Sequence, residues 1–351
     1  MANYRIAVLG GDGIGPEVTR EGLKVLAAAA EVHGFGFETT DYPYGTEHFL
    51  RTGEELPERA LSEMRGHDAI LLGAIGDPRV EVGKLERAII AGLRFQLDLF
   101  VNLRPIRLYD ERLCPLKGKT PEDVDFVVVR ENTEGAYAGI GGILKKGTPN
   151  EVAVQEMIYT RAGVERVIRY AFDLCRRRGK KKRLTLVDKA NAIRAQDIWT
   201  RVFALVAKEY PDVETDHGYV DATCMWFLTK PEWYDVIVTP NLFGDIITDL
   251  GAAIQGGMGI AASGNIHPGE VSMFEPIHGS APKYAGQNKA NPIAAVAAVS
   301  MMLDYLGQRE AGSAIDAAIQ ELLVTGRVKN LRAGTHRTDE IGDWVCEILR
   351  R

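Results

Sequence analysis

The sequence predicts a two-domain protein of the α/β class. Short runs of β-branched residues alternate with longer amphipathic segments, which is the pattern of a sheet whose strands are connected by helices. The chain has 351 residues, enough for two domains with full hydrophobic cores. Its 46% hydrophobic and 26% charged residues are typical of a soluble globular protein.

Five short apolar runs predict buried strands, and the amphipathic segments between them predict the connecting helices. The runs are Arg5–Leu9, Ala69–Gly73, Phe126–Arg130, Leu184–Val187 and Val236–Thr239. Helical periodicity also marks three segments near the end of the chain. They are Asn291–Leu306, Gly312–Leu323 and Thr338–Leu349.

Local end signals define the first helix and the turn before it. Pro16 suits the first helical turn, and Gly34 suits the position just beyond the last turn. The preceding segment Gly10–Pro16, GGDGIGP, follows the first strand as a dinucleotide-binding turn would. However, Pro16 occupies the place where the G-x-G-x-x-G pattern requires its third glycine. We therefore predict a tight strand-to-helix turn and a non-Rossmann fold.

A glycine-rich segment in the middle of the chain predicts an arm. Gly135–Gly147 is too irregular for a helix, and Glu151–Tyr159 alternates polar and apolar residues as a strand does. Together they predict an extended hairpin over residues 135–160. Such arms commonly pair with a second copy of the chain, so we expect a homodimer.

Charge and cysteine content restrict the class of partner and the compartment. A net charge of −6 argues against general nucleic-acid binding. The basic run Arg176–Arg183 begins where a helix ends, where cations are favoured, and we interpret it as a solvated loop. The four cysteines are widely spaced without a C-x-x-C pair, which predicts reduced thiols in a cytoplasmic protein. We expect no signal peptide and no membrane span.

Two aspartates four residues apart predict a metal site. Asp245 and Asp249 share one face of a predicted helix, among apolar residues, and two neighbouring carboxylates favour a cation between them. Asp221 follows a strand-like segment, and Lys189 ends an apolar run. If they reach the same cleft, the chain has a three-carboxylate site for Mg²⁺ or Mn²⁺ with an amine beside it. The alternative is an ordinary solvated helix face.

Three arginines predict a site for a dicarboxylate. Arg94 lies on a predicted helix over Leu85–Leu97, Arg104 lies in an extended segment, and Arg130 ends an apolar strand. Their planar guanidinium groups suit two carboxylates held bidentately. Each could instead be an ordinary surface or ion-pair arginine.

Two further residues complete a plausible catalytic set. Tyr137 could act as a general acid if it is buried among cations, and Lys189 as a general base near a metal. These groups suit the oxidation of an α-hydroxy acid followed by loss of a β-carboxylate, which requires a metal and a nicotinamide acceptor. The loop Phe274–Pro292 offers His278, Gly279, Ala281 and Pro282 to such a cofactor. Taken alone, Tyr137 could be a packing residue and the loop any polar loop.

Four long motifs resemble one enzyme family, the β-decarboxylating dehydrogenases that act on isopropylmalate, isocitrate, homoisocitrate, tartrate or D-malate. The motifs are RENTEGAYAG at Arg130–Gly139, VDKAN at Val187–Asn191, NLFGDIITDLG at Asn241–Gly251 and FEPIHGSAPKYAG at Phe274–Gly286. The similarity runs from GGDGIGPEV at the start to about residue 306. It implies a two-domain fold shared by a homodimer, with a cofactor-binding domain from residues 1–99 and 252–351. Residues 100–251, including the arm, would form the substrate and dimerisation domain.

The resemblance also implies roles for individual residues. The active site would lie between subunits, with Lys189 and Asp221 contributed across the interface. Arg94, Arg104 and Arg130 look like substrate clamps and Tyr137 and Lys189 like the acid and base. Asp221, Asp245 and Asp249 look like the metal ligands, and Asp221 would also contact substrate.

The segment before Arg94 bears on the substrate. Isocitrate-specific members have a serine and an asparagine where this chain has Ala88 and Ile90. An apolar pocket cannot satisfy a third carboxylate, so isocitrate fits less well and a branched alkyl group fits better. The resemblance therefore implies 3-isopropylmalate, with Ile90 in the substrate pocket. The segment Val152–Phe172 resembles the tartrate and D-malate enzymes, which remain the alternative.

The cofactor prediction rests on the loop after Phe274. NAD-specific members usually carry an aspartate after HGSAP, whereas this chain has Lys283 and Tyr284, which resemble the NADP-using isocitrate enzymes. The substrate resemblance favours NAD, and NADP remains possible. The residues implied to bind the cofactor are His278, Gly279, Ser280, Ala281, Pro282, Lys283, Tyr284 and Asn291.

Overall fold

The computed structural model describes residues 2–351 and separates them into two compact units. The first unit contains the chain up to Leu99, Arg107–Pro121 and Ala252–Arg351, and the second contains Phe100–Ile106 and Glu122–Gly251. The α/β class predicted from the sequence is correct. The segment Arg107–Pro121 lies in the first unit, outside the residues predicted for the cofactor-binding domain. Within this unit Arg107 donates a hydrogen bond to Gln320 at 2.9 Å.

The first unit is built on five strands in the order β2-β1-β3-β12-β11. All neighbours are parallel except β11 and β12, which are antiparallel. The strands are β1 (Asn3–Gly11), β2 (Gly36–Asp41), β3 (Ala69–Ala74), β11 (Ala262–Ile266) and β12 (Ser272–Pro276). Every residue of β3 is buried, as expected for a parallel strand covered on both faces.

Helices of the first unit supply most of its apolar core. The α-helices are α1 (Gly15–His33), α2 (Thr46–Thr52), α3 (Glu58–Met64), α4 (Gly92–Gln96), α9 (Ile293–Tyr305), α10 (Arg309–Val324) and α11 (Thr338–Leu349). Helix α9 is buried on nearly all sides, and its apolar side chains pack into one cluster with those of α1, α10 and α11. The three helical segments predicted near the end of the chain are therefore confirmed as α9, α10 and α11.

The turn between β1 and α1 has the geometry predicted for it. Gly11 and Gly13 have φ values of 73° and 58°, in the left-handed region that favours glycine. The buried carboxylate of Asp12 accepts hydrogen bonds from the backbone N–H groups of Thr46 at 2.6 Å and Gly76 at 2.8 Å. One side chain in the turn therefore holds two other loops of the same unit.

The second unit contains five strands in the order β4-β5-β10-β8-β9. Strand β10 pairs in parallel with β5 and β8, and β8 pairs in parallel with β9. The strands are β4 (Val101–Arg107), β5 (Asp125–Glu131), β8 (Arg183–Asp188), β9 (Glu214–Tyr219) and β10 (Val236–Thr239). Its helices are α5 (Arg161–Arg178), α6 (Asp197–Ala207), α7 (Val220–Thr229) and α8 (Asn241–Gln255), which runs past Gly251 into the first unit.

The predicted arm is a two-stranded antiparallel hairpin of β6 (Gly141–Leu144) and β7 (Val152–Gln155). Its apolar side chains are largely exposed. Two strands alone seldom form a stable sheet in water, so the hairpin lacks the usual packing partner. The exposed residues are Ile140, Ile143, Leu144, Val152, Val154 and Ile158. An exposed apolar surface of this kind is typical of an interaction site.

The basic run Arg176–Arg183 is only partly the solvated loop that was predicted. Helix α5 ends at Gly179, whose φ of 61° closes the helix. However, the Arg178 guanidinium is 14% exposed and lies 2.7 Å from a carboxylate oxygen of the fully buried Asp235. Arg178 is therefore part of a largely buried ion pair and not of a solvated loop.

In the described part of the chain, no helix is long and apolar enough to cross a membrane. All four cysteines are free thiols.

Candidate active site

Helix α8 places Asp245 and Asp249 on one face, as the four-residue spacing predicts. The face is more open than the apolar sequence around them suggested. The side chains of Asp245 and Asp249 are 38% and 54% exposed, and Ile246 between them is also exposed. Partial burial raises the pKa of Asp249; the positive charge of Arg104 opposes this shift, and the negative charge of Asp245 adds to it. Two carboxylates in this arrangement can offer oxygen atoms to a cation.

Arg104 and Arg130 converge on Asp245 from two different strands. An Arg130 guanidinium nitrogen lies 2.5 Å from Oδ1 of Asp245, and one of Arg104 lies 3.4 Å from the same oxygen. Another Arg104 nitrogen lies 3.9 Å from Oδ1 of Asp249. Both arginines are buried, so they are not ordinary surface residues. A buried guanidinium requires acceptors, and these carboxylates supply part of that set.

Neutral side chains fix the orientation of both arginines. Arg130 Nε donates to Asn241 Oδ1 at 3.0 Å, while Arg104 Nε donates to Asn102 Oδ1 at 2.8 Å. Arg104 also donates to the Thr248 hydroxyl at 2.6 Å. These three partners were not predicted from the sequence. Asn241 and Thr248 belong to the same motif as the two aspartates, but only their packing against strands shows what they bind.

A glycine lets Arg130 pass beside α8. A methyl group added at Gly244 would lie 2.5 Å from Cγ of Arg130, closer than non-bonded carbon atoms approach. Any larger residue at this position would therefore displace Arg130 from Asp245.

Tyr137 lies at the same cluster but is less buried than predicted. Its hydroxyl donates to Oδ2 of Asp245 at 3.1 Å, and its ring centre lies 5.7 Å from the Arg130 guanidinium carbon. The side chain is 44% exposed. Burial of the phenol raises the pKa of Tyr137, and the negative charge of Asp245 adds to the shift while the arginines oppose it. The phenol therefore holds its proton at neutral pH.

Lys189 and Asp221 lie together, as the sequence analysis expected. Lys189 follows the last residue of β8, and Asp221 lies in the first turn of α7. The amine is 2.7 Å from Oδ1 of Asp221, and this hydrogen bond lowers the pKa of Asp221. Lys189 is 25% exposed and Asp221 is 66% exposed, so both groups can reach a ligand.

Within residues 2–351 of a single chain, no three histidine, cysteine, aspartate or glutamate side chains are close enough together to hold a metal ion. One chain therefore does not bring Asp221 to Asp245 and Asp249. The two aspartates of α8 supply two hard oxygen ligands, which suit Mg²⁺ or Mn²⁺.

Arg94 lies in the first unit on α4, which begins after a π-helical turn over Glu86–Ala91. The continuous α-helix predicted over Leu85–Leu97 is therefore wrong in its first half. An Arg94 nitrogen lies 2.9 Å from Glu275, and Arg94 Nε is buried without a hydrogen-bond partner in the described chain. Since a buried donor normally has a partner, Nε is available to a ligand.

The two predicted specificity positions do not line one cavity of this unit. Ala88 borders a cavity of about 570 Å³, whereas Ile90 is half-buried against the apolar cluster that contains Ile89 and Leu93. The wider spacing of the π-helical turn changes which side chains share a face. The cavity is bordered by Leu56, Glu58, Leu61, Ser62, Arg65, Ala88, Gly92 and Gln96.

The predicted cofactor loop of the first unit contains two buried polar atoms for which the described chain offers no hydrogen-bond partner. His278 Nδ1 lies 3.0 Å from the carbonyl oxygen of Gly279 and must donate to it. Burial lowers the pKa of His278, so the ring is neutral and Nε2 carries a lone pair. In residues 2–351, neither this buried Nε2 nor the buried Nδ2 of Asn291 has a hydrogen-bond partner. An acceptor and a donor left in this state fit a polar cofactor.

The rest of this loop is held close to the β1–α1 turn. The carbonyl oxygen of Ser280 accepts a hydrogen bond from Ile14 N at 2.8 Å, and the Ser280 hydroxyl donates to the carbonyl of Gly76. Ala281 has a φ of 39°, and a short helical turn covers Pro282–Tyr284. The Lys283 amine lies 4.9 Å from the centre of the Tyr284 ring.

The comparisons with known proteins agree on one family of dehydrogenases. The family model described as isocitrate/isopropylmalate dehydrogenase matches residues 5–345. The 3-isopropylmalate dehydrogenase of Thermobifida fusca is 54% identical over 346 residues, covering 98% of this chain and 97% of that protein. The enzyme of the same name from Mycobacterium avium is 49% identical over 350 residues, covering 98% and 100%.

Two solved structures are similar over nearly the whole chain. The isocitrate dehydrogenase of Methylococcus capsulatus is 34% identical with a TM-score of 0.89, covering 99% of this chain and 100% of that one. A β-decarboxylating dehydrogenase from Thermococcus kodakarensis is 36% identical with a TM-score of 0.79, covering 99% and 96%.

Proposed function

The chain belongs to the isocitrate/isopropylmalate dehydrogenase family, and we propose that it catalyses the oxidative decarboxylation of 3-isopropylmalate to 4-methyl-2-oxopentanoate, a step of leucine biosynthesis. The observation that carries the proposal is the cluster in which Asp245 contacts Arg104, Arg130 and Tyr137. The cluster combines anion-binding groups, metal-binding oxygens and a proton donor. The relatives named 3-isopropylmalate dehydrogenase support this choice of substrate.

The arginines hold the substrate. Arg104 and Arg130 are buried and already oriented by Asn102 and Asn241, so a carboxylate can bind without ordering them first. We also retain Arg94 as a ligand of a substrate carboxylate, because its buried Nε lacks a partner in the described chain. Ile90 is retained as an apolar contact of the isopropyl group.

The acidic residues hold a divalent cation. Asp245 and Asp249, with Asp221 of a second subunit, would bind Mg²⁺ or Mn²⁺. When bound, the cation polarises the substrate oxygen and the nicotinamide accepts the hydride.

Two side chains move protons. Lys189 takes the proton of the substrate hydroxyl as the hydride leaves the carbon that carries this hydroxyl, which yields the ketone. The β-carboxylate then leaves as CO₂, and the electrons of the broken carbon–carbon bond form an enolate. Tyr137 gives its phenolic proton to the enolate carbon, and solvent restores the phenol.

NAD is the proposed cofactor, with NADP as the alternative. The residues proposed to bind it are His278, Gly279, Ser280, Ala281, Pro282, Lys283, Tyr284 and Asn291. The unpartnered Nε2 of His278 and Nδ2 of Asn291 support a polar ligand at this loop. Lys283 could engage a 2′-phosphate as a point charge.

We also propose a homodimer, which the same arrangement supports. The exposed apolar side chains of the β6–β7 arm need cover, and a second copy of the arm would provide it. Within residues 2–351 of one chain, Asp221 does not form a group of three metal-binding side chains with the two aspartates of α8, which supports a site completed by a partner. We place the enzyme in the cytoplasm, a choice that the four free thiols support.

The test measures nicotinamide reduction at 340 nm with 3-isopropylmalate, D-malate, tartrate and isocitrate, each with NAD and with NADP. We expect the highest kcat/KM with 3-isopropylmalate and NAD. Turnover of D-malate or tartrate without turnover of 3-isopropylmalate would overturn the substrate assignment while leaving the reaction class intact.

A mixed-dimer experiment tests the shared site. The variants Asp221→Asn and Asp245→Asn should each be inactive alone. Mixing and co-refolding them should restore activity, because one of the two sites in a mixed dimer then has no substituted ligand. Absence of any recovery in verified mixed dimers would contradict the shared site.

A further inference from the structure

A buried aspartate joins the ends of the two strands that precede Lys189 and Asp221. Asp188 is the last residue of β8, and its side chain is fully buried. Its Oδ1 accepts a hydrogen bond from the backbone N–H of Ala190 at 3.0 Å and lies 3.0 Å from Nε2 of His217 on β9. An ionised carboxylate only accepts hydrogen bonds, so Nε2 of His217 is the donor.

The ladder between β8 and β9 stops just before the two functional residues. These parallel strands pair as far as Asp188 and Tyr219. Lys189 is the next residue after β8, and Asp221 follows the end of β9 in the first turn of α7. Ladder hydrogen bonds therefore do not fix the Lys189 amine at its distance of 2.7 Å from the Asp221 carboxylate. That distance depends on contacts at the ends of the two strands.

Asp188 and His217 hold both strand ends. The hydrogen bond from Ala190 fixes the peptide group that follows Lys189. The ring of His217 makes an edge contact with that of Tyr219, the last residue of β9, at a centroid distance of 5.2 Å. The other oxygen of Asp188, Oδ2, is buried without a hydrogen-bond partner in the described chain. The placement of this carboxylate therefore depends on His217, because a buried carboxylate requires a donor.

We propose that Asp188 and His217 are positioning residues that set the separation of Lys189 and Asp221, the pair that one subunit contributes to the active site of its partner. The inference rests on the proposed function, which supplies the roles of Lys189 and Asp221. Because the base and this metal ligand come from the same chain, contacts within that chain can fix their separation. Neither positioning residue needs to touch substrate. A misplaced base or ligand lowers the rate of the chemical steps more than it lowers nucleotide binding.

Substitutions of His217 test this connection with little change to the core, because the side chain is 36% exposed. His217→Leu removes the donor, whereas His217→Gln keeps an N–H group that can reach Asp188. The matched control is His48→Leu in the first unit. Nε2 of His48 also lies 3.0 Å from a carboxylate oxygen, that of Glu54, and neither residue belongs to the proposed site.

We expect His217→Leu to lower kcat about tenfold, because the base loses its place. The Mn²⁺ concentration for half-maximal activity should rise severalfold, because Asp221 loses its place as well. The KM for the nucleotide should stay within about twofold of the wild type. His217→Gln should recover most of the lost kcat, and His48→Leu should keep the wild-type kcat and Mn²⁺ response.

Mixed dimers show whether the effect follows Lys189. In a mixed dimer of His217→Leu with Asp245→Asn, the site with unsubstituted metal ligands takes Lys189 from the chain whose His217 is intact. This site should turn over at the wild-type rate. In a mixed dimer of His217→Leu with Asp221→Asn, the corresponding site takes Lys189 from the His217→Leu chain and should stay about tenfold slower. A general loss of stability would slow both mixed dimers alike.

Wild-type kcat in folded His217→Leu, equal rates per site in the two mixed dimers, or an equal kcat loss in His48→Leu would overturn the inference. Should His217→Leu fail to fold, Asp188→Asn decides the question in the same two mixed dimers. The kinetic comparison uses whichever of the four hydroxy acids the wild type oxidises.

Failure of the proposed function has its own signs. Those signs are a wild type that oxidises none of the four acids, or no recovery when Asp221→Asn is mixed with Asp245→Asn. Hydrogen exchange at the Ala190 amide then tests the inference without activity. Faster exchange in His217→Leu than in the wild type supports the positioning contact, and unchanged exchange overturns it.

Discussion

The hydroxyl of Tyr137 donates to Oδ2 of Asp245 at 3.1 Å, although 108 residues separate the two in the chain. The other oxygen of the same carboxylate contacts Arg130. A single side chain of α8 thus orients the proposed acid and one proposed substrate arginine. The position of Tyr137 depends in turn on the glycine that starts its own turn, Gly135.

The variant Gly135→Ala should lose activity beyond its loss of stability. Alanine has room there but is strained at a φ of 77°, which costs about 1–2 kcal/mol. Relief of that strain would rotate the turn and move Tyr137 from Asp245, so kcat should fall at least about tenfold. The control is Gly34→Ala, where φ is also in the left-handed region, at 72°. In the described chain, no atom beyond the adjacent residues lies within 4 Å of the position that the added methyl group would take. Equal stability loss with normal kcat in both variants would contradict the prediction.

Lys189→Met should nearly abolish turnover. Removal of a general base lowers kcat by about 10²–10⁴-fold. The affinity for the nicotinamide nucleotide, measured by fluorescence titration, should stay within twofold of the wild type. The exposed Lys208 provides a control, since Lys208→Met should leave both quantities unchanged. Activity within threefold of the wild type in Lys189→Met would exclude its role as base.

Asp249→Asn should remove the response of the protein to divalent metal. In the wild type, Mn²⁺ at about 100 times its dissociation constant should raise the free energy of unfolding by about 2.7 kcal/mol, visible as a higher melting temperature. The variant should show little or no such rise, and its activity should not recover when metal is restored after EDTA treatment. Asp304→Asn, at an exposed aspartate of the first unit, should respond to Mn²⁺ as the wild type does. A normal Mn²⁺ shift in Asp249→Asn would remove this residue from the metal site.

Lys283→Ala should separate the two nicotinamide nucleotides. The Lys283 amine lies on the Tyr284 ring at the proposed cofactor loop. If it engages a 2′-phosphate, kcat/KM for NADP should fall about tenfold, corresponding to about 1.4 kcal/mol of lost interaction. The value for NAD should change less than twofold. Parallel changes for both nucleotides would show that Lys283 does not distinguish them.

Arg178→Met should destabilise the protein through the buried Asp235. The substitution removes the Arg178 guanidinium from this fully buried carboxylate and leaves the hydrogen bond that it accepts from the N–H of Lys181 at 3.0 Å. Breaking a buried ion pair in this way costs about 3–5 kcal/mol. The control Arg201→Met removes an ion pair in which both side chains are 64% exposed, and it should cost less than about 1 kcal/mol. Urea denaturation measures both, and equal losses would contradict the prediction.

The same variant should also alter the acid sensitivity of the protein. Burial would raise the pKa of Asp125, but Lys180 and Arg178 outweigh it and hold the pKa below its usual value. Asp125 therefore contributes stability above its unfolded-state pKa, and this contribution is lost as the pH falls through its folded-state pKa. In Arg178→Met the pKa of Asp125 should lie nearer its usual value, so stability should fall less steeply on acidification. An unchanged slope of unfolding free energy against pH would contradict this.

The sequence predicts five apolar strands and misses others, both exposed and buried. Each predicted apolar run lies within an observed strand, because parallel strands covered on both faces must be apolar. Strand β2 was missed because it is polar and largely exposed, and only the end of β9 was identified as strand-like. Strands β11 and β12 are buried, but they were missed because they lack a β-branched run. The π-helical turn before Arg94 was also missed, since a short segment fits either helical spacing.

The candidate site also has some features that the sequence predicts and others that it does not. The four-residue spacing of Asp245 and Asp249 is local, so the sequence alone gives their common face. By contrast, the hydrogen bond from Arg130 to Asn241 joins residues 111 positions apart and depends on how β5 packs against α8. The open surface around Asp249 was also not predicted, since apolar neighbours in sequence can face either core or solvent.

The proposed oxidative decarboxylation is tested most directly by the stoichiometry of the reaction with 3-isopropylmalate in the presence of Mn²⁺ and NAD. We expect one CO₂ and one 4-methyl-2-oxopentanoate for each NADH formed, and none of the three after EDTA treatment. NADH formation without CO₂, or full turnover in metal-free protein, would contradict it.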